Sequence, residues 1–148
     1  MSDERKQPDQ PGKDGSDKDR PGRNEVRLER DGILRIYYRG RQTAEGIKAL
    51  GEESDAIAEA LQERGEPVII LVDVADLGAF GQPEIAAWRR LMATRSFERM
   101  AIVHLNPALQ VVLHFLVKMS NRKDKVEAFD DEVKAIDWLQ EAATGQQD

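Results

Sequence analysis

Five aliphatic residues in unbroken succession, Val68 to Val72, follow Pro67 and stop at Asp73. A half-buried strand alternates apolar and polar side chains, so a run that is apolar at every position needs cover on both faces. Such a strand belongs inside a parallel sheet with helices on both sides. Parallel neighbours need crossover connections, usually helices, so this one run commits the rest of the chain to alternating strands and helices. It is also far shorter than the roughly 18 residues that would cross a bilayer. The first twenty residues lack the apolar stretch of a secretory leader, so no transmembrane segment and a cytoplasmic location are expected.

The flanking segments fit that commitment. Val26, Leu28, Leu34, Ile36 and Tyr38 alternate with charged residues around Asp31 and Gly32, which predicts a β-hairpin with one buried face. Thr43 is placed to cap a helix whose inner stripe is Ile47, Leu50, Ser54, Ile57 and Leu61, and Gly65 ends it. Pro83 suits the first turn of a second helix with Ile85, Trp88, Leu91 and Met92 inward. A strand over Met100 to Leu105 is expected next, then a helix opened by Asn106 and Pro107 and running to about Ser120. A short strand from Val126 to Phe129 follows. Asp130 and Asp131 cap a last helix with Val133, Ile136, Leu139 and Ala143 inward.

Residues 1–24 have a different character. They hold three prolines, three glycines and no aliphatic or aromatic residue after Met1, so ordering them would bury nothing that offsets the entropy. A disordered charged tail over 1–24 and one folded domain over 25–148 are expected. Six basic and six acidic side chains cancel in the tail, so the net charge of −6 resides in the domain. An acidic domain does not attract phosphate backbones at a distance, and no nucleic-acid partner is expected. The chain has no cysteine, which removes disulfides, thiolate metal sites and cysteine nucleophiles.

The order ββαβαβαβα, the segment Leu71 to Phe80 (LVDVADLGAF) leading into a helix, and the ending Phe129 to Leu139 (FDDEVKAIDWL) resemble the SpoIIAA-like branch of the STAS domains over about residues 25–143. The resemblance implies an α/β fold: a mixed, mostly parallel five-stranded sheet with four helices. STAS domains occur in sulfate transporters and anti-sigma-factor antagonists, and the SpoIIAA-like branch is also grouped with lipid-binding SEC14-type domains. The resemblance therefore implies a regulatory or binding module in place of a catalyst. In the antagonists a phosphorylatable serine lies in the loop after the third strand. Here that corner runs from Phe80 to Glu84, and no Ser, Thr or Tyr lies between Ser54 and Thr94, so a phosphorylation switch has no acceptor there.

Candidate site residues gather at the carboxyl ends of the strands, where open α/β sheets place ligands. Asp73 either contacts a ligand or accepts hydrogen bonds from the amides of the Ala75 to Ala79 turn. Asp76 lies near it, but spacing supplies no third metal ligand, and neither metal nor cofactor is expected. His104 falls at the same edge with no nucleophile beside it. Phe80, Gln82 and Trp88 furnish the exit corner. Arg89, Arg90, Arg95, Arg99, Arg122, Lys123 and Lys125 read as solubilising charges. The helix from Pro107 is the least ordinary element. Leu109, Val112, Leu113, Leu116 and Val117 form one apolar face, while Val111, Phe115 and Met119 form a second row that either the last helix or a partner must cover. A non-enzymatic module that binds a protein partner, including a second copy of itself, is the leading expectation. A carrier or sensor of a small apolar ligand or lipid is the alternative.

Overall fold

The computed structural model describes residues 20–145. Its elements are β1 (Glu25–Leu28), β2 (Ile33–Tyr37), α1 (Ala44–Glu63), β3 (Ile69–Asp73), α2 (Gln82–Thr94), β4 (Arg99–Val103), α3 (Pro107–Ser120), β5 (Val126–Phe129) and α4 (Glu132–Gly145). The sheet has strand order β1-β2-β3-β4-β5, with β1 antiparallel to β2 and every later pair parallel. The aliphatic run is thus the middle strand, as its two-sided apolarity requires.

A right-handed crossover to the next strand on the same side always lands on the same face of the sheet. The three crossover helices accordingly share one face, and only α4, which follows the last strand, lies on the other. On the first face Leu34, Ile36, Ile70, Val72 and Ile102 meet Ile47 and Leu61 of α1, Met92 of α2 and Leu109 of α3. On the second, Ile33, Ile69, Leu71, Ala101 and Val103 meet Ala135 and Leu139 of α4. Ala101 and Ala135 are both fully buried, and their small side chains let the helix lie close to β4.

Local chemistry sets the boundaries. Gly32, at φ 83°, follows the turn that closes from Gly32 N to Glu29 O at 3.0 Å, and Asp31 Oδ1 accepts from Ile33 N at 3.1 Å. Thr43, Asn106 and Asp131 accept from Gly46 N, Leu109 N and Val133 N at 2.9, 2.8 and 2.8 Å, satisfying amides that have no partner within their own helices. The α1–α2 crossing depends on Gly51. A Cβ there would lie 2.6 Å from Leu91 Cδ2.

Three expectations are corrected. Leu28 is exposed at the hairpin tip, so the face that the hairpin buries runs through Val26, Leu34 and Ile36 and leaves Leu28 out. Val133 is 65% exposed, because the inner face of α4 is turned toward Ala135, Ile136, Leu139 and Ala142. Strand β4 stops at Val103, where His104 takes φ 69° and turns the chain. The charged tail lies outside the described residues as far as residue 19. Its last five residues are described, and they make specific bonds: Arg41 N donates to Arg20 O at 2.7 Å and Arg23 N to Arg39 O at 2.9 Å. The side chain of Asn24 pairs with buried Gln42 in both directions, at 2.9 and 3.1 Å.

Candidate functional site

The sheet divides the expected corner into two places. Side chains alternate along a strand, so Asp73 shares the second face with Ile69 and Leu71, while Val72 and Val74 point to the first. Asp73 Oδ1 accepts from Ala75 N at 2.9 Å, one of the two roles open to it. Ligand atoms of Asp73, His104 and Glu132 lie within 4.8 Å of one another, and His104 Nε2 is 3.9 Å from Glu132 Oε1. Glu132 opens α4, and no spacing rule along the chain pairs it with Asp73. Asp76 is not part of this group. The three donors suit a divalent cation completed by water, since both carboxylate and imidazole ligate such ions. His104 and Glu132 are exposed, and Asp73 is half-buried.

Phe80 and Trp88 sit on the opposite side of the sheet. Their rings meet edge to face at 5.2 Å, and Trp88 meets Tyr38 the same way at 5.7 Å. Burial pushes the pKa of the Tyr38 hydroxyl above the ordinary 10.0, against the smaller opposing effects of Arg95 and of a hydrogen bond from the Trp88 indole. Below this aromatic group, α2 and α3 stand apart enough to leave a cavity of about 100 Å³ against the sheet. Its walls are aliphatic: Ile36, Val72 and Ile102 from the strands, Leu91 from α2, and Leu109 and Leu113 from α3. Gln82 is exposed at the first turn of α2 and does not line it.

Arg95 departs from the solubilising role that its sequence context predicts: it is 6% exposed and lines the cavity. A signal was present, because Arg95 follows Leu91 by four and Met92 by three and so continues the apolar stripe of α2. Two neighbouring basic residues act structurally. Arg99 lies 4.7 Å over the Trp138 ring and donates to Trp138 O at 2.6 Å, and Arg122 lies 5.1 Å over Phe97. Tyr38, Trp88 and Arg95 are the residues with polar side-chain atoms among those that line the apolar space.

The second row of α3 is bare. Val111, Phe115 and Met119 are 71, 46 and 55% exposed, because α4 lies across the sheet and cannot cover them. Gln110, His114 and Lys118 form the exposed polar stripe beside that row. Among the described residues no helix is long and apolar enough to cross a membrane.

Beyond α4, the second face is closed by charge. Over β1 and β2, Glu25 accepts from Arg27 at 2.6 Å and Arg39 at 2.9 Å, and both guanidinium groups lie over the Tyr37 ring. The two hydrogen-bonded arginines hold the Glu25 carboxyl at about 2, below the ordinary 4.5. Asp31 is held low in the same way by Arg35, through paired bonds of 3.0 Å.

No curated protein matches the chain. Among solved structures, it is similar to an uncharacterized protein of the DUF3478 family with a SpoIIAA-like fold from Shewanella loihica. The TM-score is 0.55 at 18% identity, covering 80% of this chain and 93% of that one, which is a likeness of fold. The SpoIIAA-like family model matches residues 33–140, from the first residue of β2 into α4. Together with the mixed five-stranded sheet and its four helices, that match places the chain in the SpoIIAA-like family.

Proposed function

We propose that the domain binds a small apolar ligand between the sheet and α2–α3 and serves as its carrier or sensor, without catalysing a reaction. The carrying observation is the cavity of about 100 Å³ with aliphatic walls. Close packing leaves few voids larger than a water molecule, and an apolar void of this order stays dry and accepts small hydrocarbons. Trp88 and Tyr38 close one end of the space, and the half-buried Trp88 supplies a built-in reporter. Benzene added to the purified protein should shift the NMR signals of the methyl groups of Val72 and Leu109, and Leu113→Trp, which fills the space, should abolish those shifts. Methyl signals that do not respond to benzene would reduce the cavity to a packing defect.

A second reading, docking to a protein partner or to a second copy, is favoured by a separate observation, the exposed row of Val111, Phe115 and Met119. Sedimentation of the wild-type protein and of the double variant Phe115→Asp with Met119→Lys tests the self-association arm. A dimer that becomes a monomer supports it. A monomer in both cases removes it.

A further inference from the structure

Arg95 is the one charged residue among those lining a cavity whose other walls are aliphatic, methionine and aromatic side chains. Its own surroundings satisfy it incompletely. One terminal nitrogen, Nη2, donates to Gly51 O at 3.2 Å. Asp55 Oδ1 lies 3.2 Å from Nε, but it is out of line for a hydrogen bond, and the buried Nε has no acceptor. Asp55 is also half-exposed, so water screens much of its charge. A guanidinium removed from water is costly unless an anion and good hydrogen bonds replace its hydration.

The geometry points to Arg95 as the anchor for an anionic head group, and to a short-chain apolar monocarboxylate as the ligand class of this cavity. The inference rests on the proposal that the cavity is a ligand site, and adds the chemistry of the ligand. The aliphatic walls take a hydrocarbon tail. The guanidinium fork matches the two oxygens of a carboxylate, and Tyr38, within the field of Arg95, lines the same cavity. One buried cation balances one negative charge. A phosphate monoester, carrying close to two, would leave charge uncompensated in an apolar space.

Calorimetric titration of the purified full chain with hexanoate and with 1-hexanol separates tail binding from head-group recognition. Hexanoate is expected to bind about tenfold more tightly or better, and Arg95→Met to erase that preference, so that the two compounds bind alike. Asp55→Asn, at a half-exposed position, removes the competing carboxylate and should strengthen hexanoate binding severalfold without altering hexanol binding. This variant keeps the test open should Arg95→Met fail to fold. Equal affinities for hexanoate and hexanol would overturn the carboxylate assignment and leave the apolar site standing. A stable Arg95→Met protein that keeps the preference for hexanoate would reduce Arg95 to a brace between α1 and α2. Binding of neither compound would remove the ligand site and the inference together.

Discussion

The two faces of the sheet solve the same burial problem with unequal means. Three crossover helices cover the first face, yet they leave a hole beneath α2 and α3. A single helix covers part of the second, and it packs tightly because alanines at 101 and 135 let it approach. The remainder of the second face, over β1 and β2, is closed by a lattice of arginines, carboxylates and the Tyr37 ring. More covering mass does not mean better filling. The face with the larger core is the one with room for a guest.

Truncating the core breaks or sharpens that comparison with the largest effect. Leu139→Ala and Ile70→Ala each remove a fully buried side chain, and each should cost about 2–5 kcal/mol in denaturant unfolding. Their patterns should differ in hydrogen exchange. Leu139→Ala is expected to release α4 alone, since its side chain anchors one helix, whereas Ile70→Ala should lower protection throughout the strands and α1–α3. Uniform loss in both variants would mean that the faces are one cooperative unit.

Enlarging side chains probes the filling directly. Val103→Ile adds a methylene to the tight face and should cost about 1–3 kcal/mol. Val72→Ile adds the same group toward the cavity and should be neutral or stabilising by up to about 0.8 kcal/mol. Equal penalties at both positions would contradict the difference in packing.

Tyr38→Phe leaves the Trp88 indole without its acceptor and should cost about 1–2 kcal/mol near neutral pH. The wild-type hydroxyl titrates above its unfolded value of 10.0, so its contribution is whole below pH 10 and is lost as pH rises through the raised folded value. The gap between wild type and variant should therefore narrow in alkali, as followed by urea midpoints across that range.

The smallest effect belongs to the charged lattice. Glu25 has its folded pKa lowered from 4.5 to about 2, so the stability it contributes is present above pH 4.5 and lost as pH falls toward 2. Glu25→Gln should flatten that part of the acid limb and lower stability at pH 7 by the same amount, which is small because solvent screens the exposed pair. An acid limb of unchanged slope would separate this lattice from acid stability.

Much of the architecture was legible because it rests on local signals. The run from Val68, the caps at Thr43, Asn106 and Asp131, and the stop at Gly65 each report on their own neighbourhood, and together they specify the order of elements. Phase was less legible. The alanines that seat α4 carry little hydropathy signal, so a stripe chosen by hydropathy runs through Val133, which faces water. The site was least legible because it is assembled across the chain. Glu132 reaches Asp73 from another element, Arg95 is buried by helices it does not belong to, and the cavity is a property of the distance between α2 and α3.

The strand order also bears on how the chain is made. Every strand pairs with the one synthesised just before it, so the sheet can lengthen by accretion as the chain leaves the ribosome, with no gap held open for a later strand. Only the second face must wait. Until α4 emerges, Ile33, Leu71 and Val103 stand uncovered, and a chain halted before Glu132 would present a sticky apolar plate to whatever lies nearby.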